Sequence, residues 1–313
     1  MLPFPRFRLL LGLMLLVATV AQAQPLRFFA IGDVPYDDGE VVYLRVLLAD
    51  ASAQNPPFIL HVGDIKGGSQ PCSDARIEGV ADLFRAQSAP VIYTPGDNDW
   101  TDCHRRRAGA RDPLERLAAL RRIIFADPTV LHTSALRLVV PDPAYPENLY
   151  FGHDGVLFVL MHVVGSNNNY KAEDDAAMAE FKARAAANRA LLEGASKAAN
   201  AMQAGALVLA FHANPLFEDR RKRRGFVPVK QDLRQLLTDY AGPVLLIHGD
   251  THRFRIDQPL ADADGNRIER FSRLEVPGSP TVAGVWVTVD AQATPVFDVQ
   301  VVYPNALLRL VDE

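Results

Sequence analysis

The sequence predicts an α/β fold in which a parallel or mixed β-sheet is covered by helices. Two observations support this prediction. Short apolar runs alternate with segments of helical periodicity over most of the chain, and several apolar runs end in similar polar residues. In sheets of this kind the functional groups collect at the carboxyl ends of the strands. We therefore expect one sheet edge to carry a functional site.

The predicted elements follow one another without an internal repeat or a linker. The first part contains strands at 26–31, 58–62 and 90–94 and helices at 40–53, 75–87 and 113–125, the last helix with Asp112 as its cap. The second part contains a hairpin at 149–151 and 155–163, helices at 174–202 and 230–240, and strands at 205–211 and 243–247. Four β-like segments follow at 254–256, 268–276, 284–289 and 296–302. We expect residues 24–313 to form a single domain.

The amino-terminal segment predicts a secretory signal peptide over residues 1–23. Arg6 and Arg8 precede an apolar run at 9–20, and residues 21–23 have the small-x-small pattern of a cleavage site. A retained membrane anchor is the alternative, but the apolar run is shorter than the ~20 residues that a spanning helix needs. We therefore expect a periplasmic or secreted protein without a membrane anchor after cleavage.

The net charge and the cysteine content limit which binding partners and which cellular compartment are expected. The formal net charge of -4 argues against a general nucleic-acid-binding protein. In an oxidising compartment the two cysteines, Cys72 and Cys103, are expected to form a disulfide between the loops that follow the second and third strands. Two ligands of a zinc site are the alternative, although neither cysteine lies in a C-x-x-C pair.

Ligand-type residues follow five of the predicted strands. They are Gly32-Asp33, Gly63-Asp64, Gly96-Asp97-Asn98-Asp99, His212, and His248-Gly249-Asp250-Thr251-His252. One Gly-Asp pair alone is often only a turn, and one histidine is often a polar core residue. Several carboxylates at the same sheet edge would repel one another without a cation. The repeated pattern therefore predicts a metal site.

The order of these strand ends resembles the signature of the calcineurin-like metallophosphoesterase superfamily, which reads GD, GD, GNH(D/E), H and GHxH. The resemblance extends from Arg27 to about Arg255 and indicates a bacterial, exported member with altered motifs. It implies a four-layer sandwich, with two mixed β-sheets flanked by helices. It also implies hydrolysis of a small phosphate mono- or diester substrate, through in-line attack by a hydroxide that bridges two metal ions.

Four residues match the family motifs directly. Asp33 matches the first aspartate, and Asp64 matches the second, which bridges the two ions in the family. His212 matches the lone histidine, and His252 matches the last histidine of GHxH. The resemblance thus implies that Asp33, Asp64 and His252 hold one ion and that Asp64 and His212 contribute to the other.

Two motifs depart from the family pattern at ligand positions. The first motif reads Asp33-Val34-Pro35, without the histidine of D-x-H. Tyr36 could reach the site instead, although a core or rim phenol is the preferred interpretation. Asp250 takes the position of the first histidine of GHxH, and His248 is the alternative ligand for the second ion.

The segment Pro95-Gly96-Asp97-Asn98-Asp99 departs from the family pattern as well. In a gapless match Asp97 is a metal ligand, Asn98 takes the position of the histidine that contacts phosphate, and Asp99 is the acid behind it. In the alternative register Asn98 is the ligand. An amide cannot give up a proton. The catalytic proton would then come from His248, Asp99 or a metal-bound water, or the substrate would have a good leaving group.

The carboxylate-rich ligand set favours hard ions, namely Mn²⁺, Fe, Mg²⁺ or Ca²⁺ relative to Zn²⁺.

Two candidate substrate-binding residues lie in polar loops. Arg221 belongs to a basic run at 220–224, for which a solvated loop is the alternative. Asn167 belongs to the run at 166–169, for which capping of the following helix is the favoured interpretation. The alternative function is a catalytically impaired protein of the same fold that binds metal or phosphate.

Overall fold

The computed structural model describes residues 25–218 and 223–305. The predicted signal peptide at 1–23 and the candidate residue Arg221 lie outside the described residues. The described strands are β1 (Leu26–Ile31), β2 (Ile59–His61), β3 (Val91–Tyr93), β4 (Leu149–His153), β5 (Val156–Leu160), β6 (Ala206–Ala210), β7 (Val244–His248), β8 (Arg255–Asp257), β9 (Phe271–Glu275), β10 (Gly284–Val289) and β11 (Phe297–Val302). The helices are α1 (Asp38–Ser52), α2 (Asp74–Arg85), α3 (Pro113–Leu120), α4 (Pro128–Leu131), the single turn α5 (Gly165–Asn168), α6 (Asp175–Ala201) and α7 (Val227–Asp239).

These strands form two mixed sheets. The first has the order β11-β10-β1-β2-β3, in which β1, β2 and β3 are parallel and β10 and β11 are antiparallel to their neighbours. The second has the order β4-β5-β6-β7-β9-β8, with parallel strands from β5 to β9 and antiparallel strands at both edges. The parallel strands of each sheet therefore end at a common edge.

Three apolar layers hold the two sheets and the helices together. In β1, Phe28 packs in the core between the two sheets, whereas Phe29 packs in the core between the first sheet and helices α1 to α4. This alternation follows the two-residue period of a strand that is covered on both faces. A third core lies between the second sheet and helices α6 and α7, with Leu191 and Leu233 among its members. The predicted four-layer sandwich is therefore confirmed.

The helix ends show how the sequence sets the connections. Asp112 accepts a hydrogen bond from the Glu115 N–H at 2.8 Å and caps α3, as predicted. Asp174 caps α6 by accepting from the Ala177 N–H at 2.9 Å. The expectation that the polar run at 166–169 caps this helix is therefore wrong. No helix within 25–218 or 223–305 is long and apolar enough to cross a membrane.

Candidate metal centre

The candidate centre lies where the carboxyl ends of strands from both sheets meet. Asp33, Asp64 and Asp97 follow β1, β2 and β3, and His212 and Asp250 follow β6 and β7. Asp33 and Asp64 have φ values of 55° and 56°, and Asp250 has a φ of 80°. Positive φ is uncommon for residues other than glycine, and it is often found at functional sites. The backbone thus turns sharply where each strand ends.

Five of the predicted ligands form two overlapping groups. Ligand atoms of Asp33, Asp64 and His212 lie within 4.8 Å of one another, and so do those of Asp97, His212 and Asp250. His212 belongs to both groups and is fully buried. The Asp97 side chain lies in the second group.

The two predicted histidine ligands present the same nitrogen to the cluster. The Nδ1 atom of His212 lies 3.0 Å from the Val62 carbonyl oxygen, and Nδ1 of His252 lies 2.6 Å from that of Ser279. A carbonyl oxygen only accepts, so each Nδ1 carries the hydrogen and each Nε2 is left for the cluster. The Nε2 atom of His252 lies 3.5 Å from Asp33 Oδ1. A backbone partner of this kind orients metal-binding histidines.

The electrostatics of the cluster favour a bound cation. Burial, together with the charges of neighbouring carboxylates, raises the pKa of Asp33 to about 8 and that of Asp250 to about 6. Burial and the charge of Asp97 raise the pKa of Asp64 well above its ordinary value. The pKa of His212 is also raised, because the nearby carboxylates outweigh the effect of burial. Four carboxylates and two imidazoles form a donor set that fits two metal ions.

Asp99 is buried, and both of its carboxylate oxygens accept hydrogen bonds from the protein. Its carboxylate accepts from the N–H groups of Asp64 at 3.0 Å, Ile65 at 2.8 Å and Gly96 at 2.7 Å, and from the Tyr93 hydroxyl at 2.7 Å. Only 1% of the residue is exposed. Asp99 therefore ties the loop after β2 to the loop after β3.

Asn98 and Tyr36 lie on the open side of Asp64. Asn98 donates its main-chain N–H to Asp64 Oδ1 at 2.9 Å and its side-chain amide to Oδ2 at 2.5 Å. Tyr36 donates its hydroxyl to Asp64 Oδ2 at 2.8 Å, and this hydroxyl also lies 3.1 Å from His252 Nε2. Tyr36 therefore reaches the centre, whereas the sequence favoured a core or rim phenol.

His248 lies beside the cluster but belongs to neither ligand group. Its Nδ1 atom is 2.8 Å from the Gly249 carbonyl oxygen, and the residue is fully buried. Burial lowers the pKa of His248 to about 3. The structure thus brings Asp250 into the cluster and leaves His248 in the core beneath it.

The single turn α5 brings a residue to the centre that the sequence analysis did not single out. The Ser166 hydroxyl lies 2.8 Å from Asp97 Oδ2 and 2.8 Å from Asp102 Oδ2. Residues 166–169 all have left-handed backbone, with φ between 47° and 60°. Asparagine tolerates this conformation, so the run of three asparagines was the available signal. The Asn167 side chain accepts from the Gly225 N–H at 3.2 Å and holds the loop in place.

Two glycines allow the ligand loops to approach each other closely. A Cβ atom at Gly96 would lie 2.0 Å from Asp64 Oδ1, and one at Gly249 would lie 2.1 Å from Asp33 Oδ2. Neither position has room for any side chain unless a ligand carboxylate moves.

The predicted disulfide is present. Cys72 and Cys103 are bonded, with their Cα atoms 5.7 Å apart, and the bond joins the loops that follow β2 and β3. Both sulfur atoms lie 3.7 Å from the Asn98 carbonyl oxygen. The disulfide therefore packs directly beneath a residue that contacts Asp64.

A two-sheet sandwich with acidic and imidazole ligands at its strand ends defines a class of metal-dependent phosphoesterases. A family model, calcineurin-like phosphoesterase, matches residues 26–254. The chain belongs to this family.

Solved structures give a more distant comparison. A dimetal phosphatase from Danio rerio is 12% identical, with a TM-score of 0.52, and the match covers 90% of this chain and 100% of that one. This likeness shows the fold. GAP50, the anchor in the inner membrane complex of Plasmodium, is 13% identical, with a TM-score of 0.47. The match covers 90% of this chain and 89% of that one. Purple acid phosphatase PPD1 from yellow lupin is 11% identical, with a TM-score of 0.43. The match covers 90% of this chain and 54% of that one. No curated protein matches the chain.

Proposed function

We propose that this protein is an exported two-metal phosphoesterase that hydrolyses a small phosphate mono- or diester. Membership of the calcineurin-like phosphoesterase family supports a phosphoric ester as the substrate. The observation that carries the proposal is the presence of two overlapping ligand groups. Within each group the ligand atoms lie within 4.8 Å of one another, and His212 belongs to both groups. The single domain proposed for residues 24–313 would contain the whole centre.

The ligands divide naturally between two ions. We assign Asp33, Asp64 and His252 to one ion, since His252 Nε2 lies 3.5 Å from Asp33 Oδ1. The second ion would be held by Asp64 together with the group formed by Asp97, His212 and Asp250. Bound ions would supply Lewis acidity and an activated water for attack on phosphorus. Because four of these ligands are carboxylates, the set favours Mn²⁺, Fe, Mg²⁺ or Ca²⁺ over Zn²⁺.

The residues around Asp64 take distinct roles in this proposal. Asn98 and Tyr36 hold the Asp64 carboxylate through its two oxygens, and Asn98 also borders the space for the phosphoryl group. Asp99 is a positioning residue, because its two oxygens are already occupied by four donors. His248 is buried and neutral at physiological pH, which disfavours it as the acid that protonates the leaving group.

Export is supported by two independent features. The Cys72–Cys103 disulfide is consistent with an oxidising compartment. Residues 1–23 contain basic residues, then an apolar run and then small residues, which is the order found in a secretory signal peptide. We therefore propose a periplasmic or secreted location.

The experiment that tests the function compares hydrolysis of p-nitrophenyl phosphate and bis(p-nitrophenyl) phosphate with added Mn²⁺. We expect hydrolysis of at least one ester, and we expect its loss in Asp64→Ala. Glu78→Gln, which changes an exposed carboxylate on α2, is the control and should retain the parent activity. Bound metal without hydrolysis of either ester would favour the alternative, a catalytically impaired protein that binds metal or phosphate.

A further inference from the structure

We propose that Arg105 binds a phosphoryl oxygen of the substrate and makes the centre selective for phosphate monoesters over diesters. This inference rests on the proposed phosphoesterase function and names the substrate class of the same site.

Arg105 is anchored on one edge close to a candidate ligand. Its Nη2 atom lies 2.5 Å from Asp102 Oδ2 and donates to the Ser166 hydroxyl at 3.3 Å. That hydroxyl in turn lies 2.8 Å from Asp97 Oδ2. One hydroxyl group thus separates the guanidinium from the ligand set.

The other edge of the guanidinium faces open space. Within residues 25–218 and 223–305, Nη1 and Nε of Arg105 make no hydrogen bond or ion pair, and 48% of the side chain is exposed. A Cβ atom at Gly68 would lie 3.0 Å from Arg105 Nη1 and 2.7 Å from Asn98 Oδ1. Both atoms are therefore neighbours of Gly68, and the free edge of the guanidinium lies close to the Asn98 amide. The same amide is bonded to Asp64, so this edge borders the centre.

The charge pattern explains why a cation is useful at this position. Four candidate ligands are carboxylates, and an approaching phosphate meets their negative charge unless cations offset it. A guanidinium carries a permanent charge and a planar set of donors that matches phosphate oxygens. Because Asp102 and Ser166 hold one edge, little side-chain freedom is lost when the other edge binds.

The same contact discriminates between ester classes. A phosphate monoester has a second pKa of about 6 and is a dianion at pH 8. A diester carries one charge, and an ester oxygen replaces one of its strong acceptors. The free edge of Arg105 therefore stabilises a bound monoester more than a bound diester.

The test compares Arg105→Gln with Arg107→Gln, which removes the same charge from an exposed arginine two residues away. For each protein we would measure kcat and KM on p-nitrophenyl phosphate and bis(p-nitrophenyl) phosphate at pH 8. Binding of inorganic phosphate to the Mn²⁺-loaded protein would be measured by calorimetry, and metal content would be measured directly.

We expect Arg105→Gln to lower phosphate affinity and monoester kcat/KM about 10- to 100-fold, mainly through KM. Diester kcat/KM should fall about threefold or less, and Arg107→Gln should leave all values unchanged. Arg105→Lys should restore part of the phosphate affinity, because it keeps the charge and loses the planar donors.

Three results would overturn the proposal: equal losses on both esters with normal phosphate affinity, no loss in any measurement, or a metal content below that of the parent. The last would show that Arg105 acts only on Asp97 through Ser166. A parent protein that hydrolyses neither ester would contradict the proposed function alone, because the phosphate titration still decides whether Arg105 binds the anion.

Discussion

Asn98 and Asp64 are joined by two hydrogen bonds, from the main-chain N–H to Oδ1 at 2.9 Å and from the side-chain amide to Oδ2 at 2.5 Å. The second hydrogen of the same amide points to the Tyr36 hydroxyl at 3.1 Å. Asn98 therefore fixes both oxygens of a carboxylate in the first ligand group. In the gapless alignment proposed for its motif, this amide takes the place of an imidazole, and an amide has no proton to release.

The first prediction concerns this missing acid. We expect the rate of the parent enzyme to fall steeply as the pKa of the leaving group rises, because leaving groups must depart without protonation. Asn98→His should help poor leaving groups more than good ones, by at most the ~10²–10⁴ typical of general acid catalysis. The measurement is kcat/KM for both proteins over a series of aryl and alkyl phosphates. A flat dependence in the parent would show that another group already donates the proton.

The second prediction concerns Asp64 and metal. Asp64→Asn keeps the shape of the side chain and removes its charge, so metal content and the rise in Tm on adding Mn²⁺ should both fall. Elemental analysis and thermal unfolding test both points, with Glu78→Gln as the control. Normal metal content in Asp64→Asn would remove Asp64 from the ligand set.

The third prediction separates positioning from proton transfer at Asp99. Asp99→Asn places amide hydrogens against N–H donors and should cost roughly 2–4 kcal/mol of unfolding free energy. Tyr93→Phe removes one of the four donors and should cost about 1 kcal/mol. Urea unfolding of the metal-free proteins measures both. Parent stability in Asp99→Asn together with lost activity would instead point to a catalytic acid.

The fourth prediction concerns pH and the buried Glu147. Burial alone would raise its pKa, but His162, 2.8 Å away, and Arg121 lower the pKa to about 2 from an ordinary value of 4.5. A carboxyl group with a lowered folded-state pKa stabilises the protein above pH 4.5, and this contribution is lost as the pH falls from 4.5 to 2. The contribution at neutral pH is roughly 3 kcal/mol.

The difference in unfolding free energy between the parent and Glu147→Gln should therefore be largest at pH 7 and smaller at pH 3. Urea unfolding with a chelator present measures the difference without a contribution from bound metal. The exposed residue Glu78 provides the control, since Glu78→Gln should show no such change with pH. A difference that stays constant between the two pH values would contradict this account of Glu147.

The fifth prediction concerns the disulfide. The two cysteines are 31 residues apart, and replacing both by serine should lower the unfolding free energy by roughly 3–4 kcal/mol in the chain-entropy model. The Asn98 carbonyl rests against both sulfurs, so phosphate binding should weaken in the double variant as well. Urea unfolding and calorimetry test the two effects, and a reduced parent protein should behave like the variant. Unchanged stability would show that the bond adds nothing to the fold.

Much of the architecture could be predicted from hydrophobic patterning. β1 and β10 have the predicted bounds, because each is a short and almost continuous apolar run. α7 begins three residues earlier than predicted, at Val227, because Pro228 is tolerated in the first turn of a helix. The ligand-type residues Asp33 and Asp64 were visible because each follows a glycine directly after an apolar strand.

The roles of the other residues around the centre could not be assigned from local patterns. Tyr36 reaches Asp64 across 28 residues, and Ser166 reaches Asp97 across 69. Arg105 resembles its exposed neighbours Arg106 and Arg107 in sequence. Only the folded structure distinguishes Arg105 from these neighbours. Contacts between loops that follow different strands produce no periodic pattern in the sequence.

The absence of room at Gly96 and Gly249 limits how this enzyme can diversify. Any larger residue there pushes on a ligand carboxylate, so the interior of the centre offers few single-step variants that keep metal. A Cβ atom at Gly68 would instead meet only the ends of the Asn98 and Arg105 side chains, and those can move. Laboratory evolution toward new esters should therefore accumulate its changes around Gly68 and Arg105, while the metal-binding interior stays constant.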